Sequence, residues 1–445
     1  MSILEYTGPS VFGYETDQPV CRAAMICLHT SPIARIGQSD AGGMNVYVKN
    51  LAIQLSRQGL PVDIFTRRSD PFTPETVEIV PGVNVVQITA GPTEPLSKNE
   101  LFAYLPEFAS QTALYSLRNQ VRYDVIHAHY WLSGWAAHLL QRYWHVPHLL
   151  MFHTTAHMKN AVAATADRET PLRLEIERKL IDLADGLVAA NPDERDDLIS
   201  HMRSPIDKVC TVPPGVDLAL FQAGDQSLAR RELGFSQDER IVLAVGRIDP
   251  IKGFDTLLGS LVSMKAAGVT PTLIIAGGEL DLNEEPKGSL AGLAALADML
   301  GVRDQIRFAG SQSHERLAIH YRAADVVAVP SRYESFGLVA IEAMASGTPV
   351  VASNVGGLRF TVQNDRSGYL VPHSDPEALG AALGRILDDD AVRQRLGAGA
   401  LMSAELFSWK TVGERIERMY TRLATGYRSD LCGSGSGSGA QSMFA

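Results

Sequence analysis

Glu334 and Glu342 stand in one run, SRYESFGLVAIEAMAS (Ser331–Ser346), with seven residues between them and different surroundings. From Phe336, Gly337 and Leu338 onward the run reads as a helix ending near Gly347. Glu334 falls in the loop before it, and Glu342 lies more than a turn inside, with apolar neighbours Ile341 and Ala345. The free N–H groups of such a helix start favour an anion such as a diphosphate. A carboxylate inside the helix can accept hydrogen bonds from ribose hydroxyls, as the acidic residue of dinucleotide folds does. Glu334 is placed to grip sugar hydroxyls. Either glutamate alone would read as a solvated carboxylate. Arg247 and Lys252 share a second loop, Gly246–Gly253, directly after an apolar stretch. Two cations there suit a diphosphate leaving group, because negative charge grows on the phosphate oxygen as a glycosidic bond breaks. Without the strand before them they would be ordinary surface cations. Gly42-Gly43 before another helix start lets an anion approach closely, although a tight strand–helix turn uses the same pair.

The front half carries a different set. His127, His129, Tyr130 and Trp131 follow one strand-like stretch, and His153-Thr154 follows another, which makes Tyr130 and His153 expected neighbours across a cleft. Histidines satisfied in the core are the competing reading. No HExxH or other zinc spacing occurs. Lys98 and Arg173 are further cations that read as solvated on spacing alone. The acidic run Asp388-Asp389-Asp390 lies far down the chain and reads as a helix end or turn, not as a metal-holding DxD motif. With Arg247, Lys252 and a helix start available for a diphosphate, no metal and no other cofactor is expected.

Strand-type and helix-type patterns alternate, which argues for parallel α/β sheets. Strands are expected at Ala23–Leu28, Val62–Thr66, Val83–Thr89, Val125–His127, His148–Phe152, Gly186–Ala189 and Val209–Val212. Pro213-Pro214-Gly215-Val216-Asp217 breaks the pattern and places a hinge near residue 220. The pattern restarts at Ile241–Val245, Thr272–Ala276, Ile306–Ala309, Val326–Val329 and Pro349–Ala352. Two doubly wound domains in series follow: 1–220, rejoined by an amphipathic final helix in 407–427, and 221–406. Residues 1–22 read as a loose extension and 428–445 as a flexible tail containing the linker-like GSGSGSG of 433–439. Open α/β sheets bind ligands at the carboxyl ends of their strands, and the candidate residues cluster there.

The chain has 445 residues, 45% hydrophobic and 20% charged, ordinary for a globular protein with large cores. A formal net charge of −10 disfavours nucleic acid and anionic lipid as partners, so an anionic ligand needs a local basic cluster. Cys21, Cys27, Cys210 and Cys432 show no CxxC, and reduced, buried thiols in a cytoplasmic protein are expected. No signal-peptide pattern and no apolar run of about 18 residues is present. The expected partners are small molecules, and a homo-oligomer is compatible with all of this.

These motifs resemble the retaining glycosyltransferases of the GT-B fold, in the large family that includes sucrose synthases and sucrose-phosphate synthases. The resemblance spans roughly residues 23–424 and rests on the E-x7-E of ESFGLVAIE, the following ASGTPVVAS, and the G-R-x4-K loop of Gly246, Arg247 and Lys252. It implies that Arg247 and Lys252 bind the donor diphosphate, Glu334 the transferred sugar and Glu342 the nucleotide ribose, with His153 near the reacting centre. Gly42, Gly43, Phe336, Gly337 and Leu338 join the donor site. HTSPxxxxGxxDAGGMNVYV (His29–Val48), GPxxxLSKxEL (Gly91–Leu101) and HAHYWLSG (His127–Gly134) are similar to two subgroups. One is the mycothiol-pathway enzyme that glycosylates inositol phosphate; the other is a compact bacterial sucrose-phosphate synthase. Positions matching Asn45, Lys98, Tyr130, Thr154 and Arg173 would hold a phosphorylated acceptor. The segment Phe152–Asn160 is two residues shorter than in the mycothiol enzymes, which tips the expectation to glucose transfer from UDP- or ADP-glucose onto fructose 6-phosphate, giving sucrose 6-phosphate. N-acetylglucosamine transfer from UDP-N-acetylglucosamine to inositol phosphate is the alternative. Two other classes stay open: a nucleotide-sugar epimerase, for which Lys98 and Arg173 would face away from the cleft, and a non-catalytic sugar-phosphate sensor.

Overall fold

The computed structural model describes residues 20–33, 43–162, 168–281, 283, 285–426 and 431–432. Gly42, most of the expected N-terminal extension and the Gly-Ser run lie outside these residues. Strands β1 (Ala23–Ile26), β2 (Val62–Arg67), β3 (Thr76–Val80), β4 (Val83–Ile88), β5 (Val125–His129), β6 (His148–Met151), β7 (Gly186–Ala189) and β8 (Val209–Thr211) form one sheet in the order β3-β4-β2-β1-β5-β6-β7-β8. Only β3 runs antiparallel, against β4. The second sheet is built from β9 (Ile241–Val245), β10 (Thr272–Ala276), β13 (Ile306–Gly310), β14 (Val326–Val329), β15 (Val350–Ser353) and β16 (Gly368–Val371), in the parallel order β13-β10-β9-β14-β15-β16; β11 (Glu279–Leu280) and β12 (Pro286–Lys287) make a small hairpin aside.

Helices cover both faces of each sheet, so the central strands are apolar throughout: every residue of β1, AAMI, is buried. The strand order reverses between β1 and β5 in the first sheet and between β9 and β14 in the second. At such switch points the crossover helices leave on opposite faces and open a crevice beyond the strand ends. The loops that leave β1, β5, β9 and β14 are those in which the sequence places Gly43, Tyr130, Arg247 and Glu334.

The chain passes between the two sheets twice, side by side. The Val216 amide donates to the Phe407 carbonyl at 2.7 Å. Gly215 is required there, because a Cβ would stand 2.5 Å from the Trp409 ring and 2.9 Å from its Cα. Ser408 then caps the helix Trp409–Ala424, its hydroxyl accepting from the Thr411 amide at 3.2 Å. That helix buries Trp409, Val412, Ile416, Tyr420 and Leu423 in the front core, together with Met25 and Tyr47 of the first unit.

Several elements differ from expectation. β3 and β16 are absent from the sequence reading. β3 is a half-exposed edge with an internal glutamate and gives no apolar run, and β16 is a four-residue edge strand opening on glycine, whose apolar stretch Tyr369–Val371 is only three residues long. The expected four reduced thiols are corrected: Cys210 and Cys432 form a disulfide with Cα atoms 5.4 Å apart, while Cys27 is a buried thiol. The partners are 222 residues apart, with Cys432 beyond the last helix and beside β8. The expected loose tail is corrected at the same place, since Leu431 is buried in the front core against Gly186.

Candidate active site

On the rear side, the turn Pro250–Lys252 follows β9 and is capped by Asp249, whose carboxylate accepts from the Ile251 amide at 3.0 Å. Gly253 closes the turn at φ 68°, where a Cβ would lie 2.1 Å from the Pro330 carbonyl oxygen, so the loop after β9 and the loop after β14 touch through glycine. This contact delivers Lys252 to Glu334, with Nζ 2.6 Å from the carboxylate. Arg247 is exposed and has no ion-pair or hydrogen-bond partner among the described residues. The Glu334 loop is held from behind by Gly356 and Gly357. The Gly357 amide donates to the Glu334 carbonyl at 2.9 Å, and a Cβ on Gly356 would meet that carbonyl at 2.2 Å. Phe336 is buried, its carbonyl accepting from the Thr361 hydroxyl at 2.8 Å, and Gly337 at φ 91° starts the helix Leu338–Ala345.

Glu342 lies within that helix and is buried; the Tyr321 hydroxyl donates to its carboxylate at 2.8 Å. Burial pushes the Glu342 carboxyl up to about 7, only partly opposed by the Tyr321 bond. A cavity at its carboxyl end is shared by both halves, with Asn50, Asp217, His314, Leu338 and Trp409 in its lining. Gly43, the first residue of the helix Gly43–Arg57, approaches the other side of the same gap: a Cβ there would be 3.3 Å from Leu338. Two helix N-termini from different sheets therefore converge on one space, an arrangement that favours an anionic ligand.

On the front side, Tyr130 directly follows β5 and His153 lies two residues beyond β6, both with positive φ, 81° and 62°. Such conformations in bulky residues cost of order 1–3 kcal/mol and concentrate at functional sites. The two are neighbours on adjacent strands of one sheet, the Tyr130 amide donating to the Met151 carbonyl at 2.9 Å, and do not face each other across a cleft as the sequence reading expected. What Thr154 meets across the gap is Ser335, with hydroxyls 3.1 Å apart. Asn191 also reaches the Ser335 carbonyl with its side-chain amide. Sequence reasoning missed both Ser335 and Asn191, for they become neighbours only when the two sheets face each other.

The His153 ring is held neutral, with its pKa pulled down to about 3 by burial, and shares a 3.1 Å hydrogen bond with His129. A neutral imidazole there offers polar contact to a sugar without adding charge. His127 and His129 are fully buried as the core reading expects, and His127 Nδ1 meets the Tyr420 hydroxyl of the last helix at 2.8 Å, but the Nε2 atom of each ring has no hydrogen-bond partner among the described residues.

Arg173 is corrected from the solvated cation that spacing gave. Its side chain is 3% exposed, and its guanidinium donates to Glu177 at 2.6 Å, the Tyr130 hydroxyl at 2.9 Å and the Thr154 carbonyl at 2.6 Å. Burial would depress its pKa, but Glu177, Tyr130 and Glu169 outweigh that and raise it, so the charge is secure. The guanidinium lies 4.7 Å from the Tyr130 ring centroid and Lys98 Nζ lies 5.9 Å from it. Ser97 and Glu100 form a capping box around the first turn of Lys98–Leu101 and so set the stem of Lys98. Asn45 is buried, donating to the Thr30 hydroxyl at 2.8 Å and the Ser31 carbonyl at 2.7 Å, and braces the loop after β1.

Two sheets with switch-point crevices, a cationic loop, and two helix ends meeting over one gap define the GT-B arrangement, and the chain belongs to the group 1 glycosyltransferase family of that fold. "Glycosyl transferases group 1" matches residues 225–401 and "Glycosyltransferase Family 4" matches residues 41–220. The chain is 41% identical over 408 residues to a D-inositol 3-phosphate glycosyltransferase of Corynebacterium diphtheriae, covering 90% of this chain and 94% of that one. It is 43% identical over 411 residues to the protein of the same name from Geodermatophilus obscurus, covering 91% and 90%. Among solved structures, a sucrose-phosphate synthase from Thermosynechococcus elongatus superposes with a TM-score of 0.81 at 35% identity, covering 91% of this chain and 100% of that one. Anabaena HepE in complex with UDP and glucose shares the fold at 19% identity and a TM-score of 0.66. The chain is thus a glycosyltransferase, and among the described residues no helix is long and apolar enough to cross a membrane.

Proposed function

We propose that the enzyme transfers N-acetylglucosamine from UDP-N-acetylglucosamine to inositol phosphate with retention of anomeric configuration. The observation that carries the choice of acceptor is the 39–43% identity, over 90% or more of the chain, to several proteins named D-inositol 3-phosphate glycosyltransferase. This outweighs the shortened Phe152–Asn160 segment, which favours fructose 6-phosphate. That second reading keeps the support of the 35% identical sucrose-phosphate synthase. Both acceptors are polyhydroxylated monophosphates, and both fit Lys98 and Arg173 gathered about Tyr130. The relatives of 39–43% identity are named glycosyltransferases, which argues against an epimerase.

In this reading the donor diphosphate lies over the start of the helix Leu338–Ala345, between Arg247 and Lys252. Its ribose donates to Glu342, and its sugar meets Glu334 and His153. Lys252 holds Glu334 in place until the diphosphate competes for the ammonium group. The acceptor phosphate is held by Lys98, with Arg173 fixing Tyr130 and Thr154 around it. The bond from the anomeric carbon to the phosphate oxygen breaks, the acceptor oxygen bonds to that carbon on the same face, and the acceptor proton passes to the departing phosphate oxygen. Arg247, Lys252 and the helix dipole stabilise the charge that develops. Domain closure brings the two substrates into contact.

The test is an acceptor panel of inositol phosphate, inositol and fructose 6-phosphate, against UDP-N-acetylglucosamine, UDP-glucose and ADP-glucose, with products identified by mass and anomeric NMR coupling. Transfer to inositol phosphate is expected. Transfer to fructose 6-phosphate alone overturns the proposal in favour of the second reading.

A further inference from the structure

We propose a first-row divalent metal site, of the zinc class, formed by His157, Asp197 and His201 outside the reaction centre. His157 lies in the first turn of the helix Ala156–Val162 that follows β6, and Asp197 and His201 occupy one π-type turn after β7. Nothing in the reaction proposed above uses these three side chains. They come from separate segments, yet both imidazoles turn Nδ1 to the same carboxylate oxygen, at 2.6 Å for His157 and 3.2 Å for His201, and their rings stack with centroids 4.8 Å apart. All three ligand atoms lie within 4.8 Å of one another. Tetrahedral ligands about 2.0–2.1 Å from an ion stand about 3.3 Å apart, so the trio needs only a small opening to admit one.

Three further features fit a metal site better than a chance polar cluster. The carboxylate is fixed from behind, its other oxygen accepting from the Thr155 hydroxyl at 3.2 Å, while that hydroxyl accepts from the Met158 amide at 3.1 Å. Ligand carboxylates braced in this way are a general property of metal sites. Asp197 is 8% exposed, whereas His157 and His201 are 47% and 62% exposed, so an ion has a path from solvent and a position left for water. Two imidazoles with one carboxylate select zinc, cobalt or nickel over magnesium and calcium, which prefer oxygen ligands throughout. The bound ion would staple the connection after β6, which carries His153 and Thr154, to the segment after β7, which carries Asn191.

The experiment uses full-length protein without a histidine tag, stripped by a chelator and titrated with Co2+ by visible absorption and with Zn2+ by chelator competition. The expected result is saturation at one ion per chain, tetrahedral-type Co2+ bands, and a melting temperature raised by Zn2+. His157→Ala and His201→Ala, both at accessible positions, should each weaken binding by about 10- to 100-fold or more and abolish the thermal shift. Failure to saturate, or one-equivalent binding that both variants leave within twofold, overturns the site.

Discussion

Glu342 gives the sharpest test of the donor site, because its environment makes donor binding depend on pH. Its carboxyl is pushed from an ordinary value near 4.5 up to about 7 by burial. Ribose hydroxyls donate more strongly to the ionised carboxylate than to the neutral acid, whose carbonyl oxygen still accepts. Donor affinity should therefore rise with pH through 7, and the apparent Kd at pH 6 should exceed that at pH 8, by up to about tenfold. The sign for stability is the opposite. A carboxyl raised in the folded state contributes stability that is fully present below pH 4.5 and is lost as pH rises towards 7, a change of about 3 kcal/mol at 1.36 kcal/mol per pKa unit. Glu342→Gln keeps an acceptor for the Tyr321 hydroxyl and cannot titrate. Relative to wild type, the variant should gain about 3 kcal/mol between pH 4.5 and 7 in urea unfolding, and its donor Kd should be flat. Calorimetric binding should use UDP-N-acetylglucosamine, whose phosphodiesters do not titrate in this range, and not UDP, whose terminal phosphate does so near pH 6. A wild-type Kd that is flat from pH 6 to 8, or a Gln variant with the same slope, refutes the assignment of Glu342 to the ribose.

Arg247→Ala should lower kcat/KM by about 100-fold or more with an unchanged melting temperature, since the side chain is exposed and makes no contact that folding would miss; steady-state kinetics beside a thermal melt check this. Lys98→Ala should raise the acceptor KM at least tenfold for inositol phosphate while leaving the donor KM within twofold, and an unchanged acceptor KM would remove Lys98 from the phosphate site. Gly215→Ala should destabilise by about 1–3 kcal/mol, because the added methyl meets both the ring and the backbone of Trp409; an unaltered denaturation midpoint would show that the crossing can relax.

Much of the architecture is visible in the sequence because buried parallel strands are written as short apolar runs. Gly186–Ala189, Ile241–Val245, Thr272–Ala276 and Val326–Val329 coincide with β7, β9, β10 and β14 to the residue. Edge elements such as β3 escape notice because one side of the strand is wet and its side chains can be polar. The candidate site divides in the same way. Arg247, Lys252, Glu334 and Glu342 are found from position, since a cation after a strand or an acid inside an apolar helix is conspicuous. Pairings across long separations are not: Lys252 with Glu334, Arg173 with Tyr130, Thr154 with Ser335 and Cys210 with Cys432 all depend on how crossovers return the chain. His157, Asp197 and His201 escape for the same reason, although the i,i+4 spacing of Asp197 and His201 was a local hint.

The return of Trp409, Ile416 and Tyr420 to the front core has a consequence for biogenesis. A ribosome that has emitted the whole first sheet has supplied only part of the apolar cover for one of its faces, the helix Gly43–Arg57, and not the helix Trp409–Ala424 that completes it. That face must wait, unfinished, while the rear domain is made and folds within it. The rear domain is in this sense an insertion that can mature alone, and the front domain is the last to close. A nascent chain arrested before residue 408 should therefore expose a front half that binds chaperones and is cut by protease, beside a rear half already resistant to both.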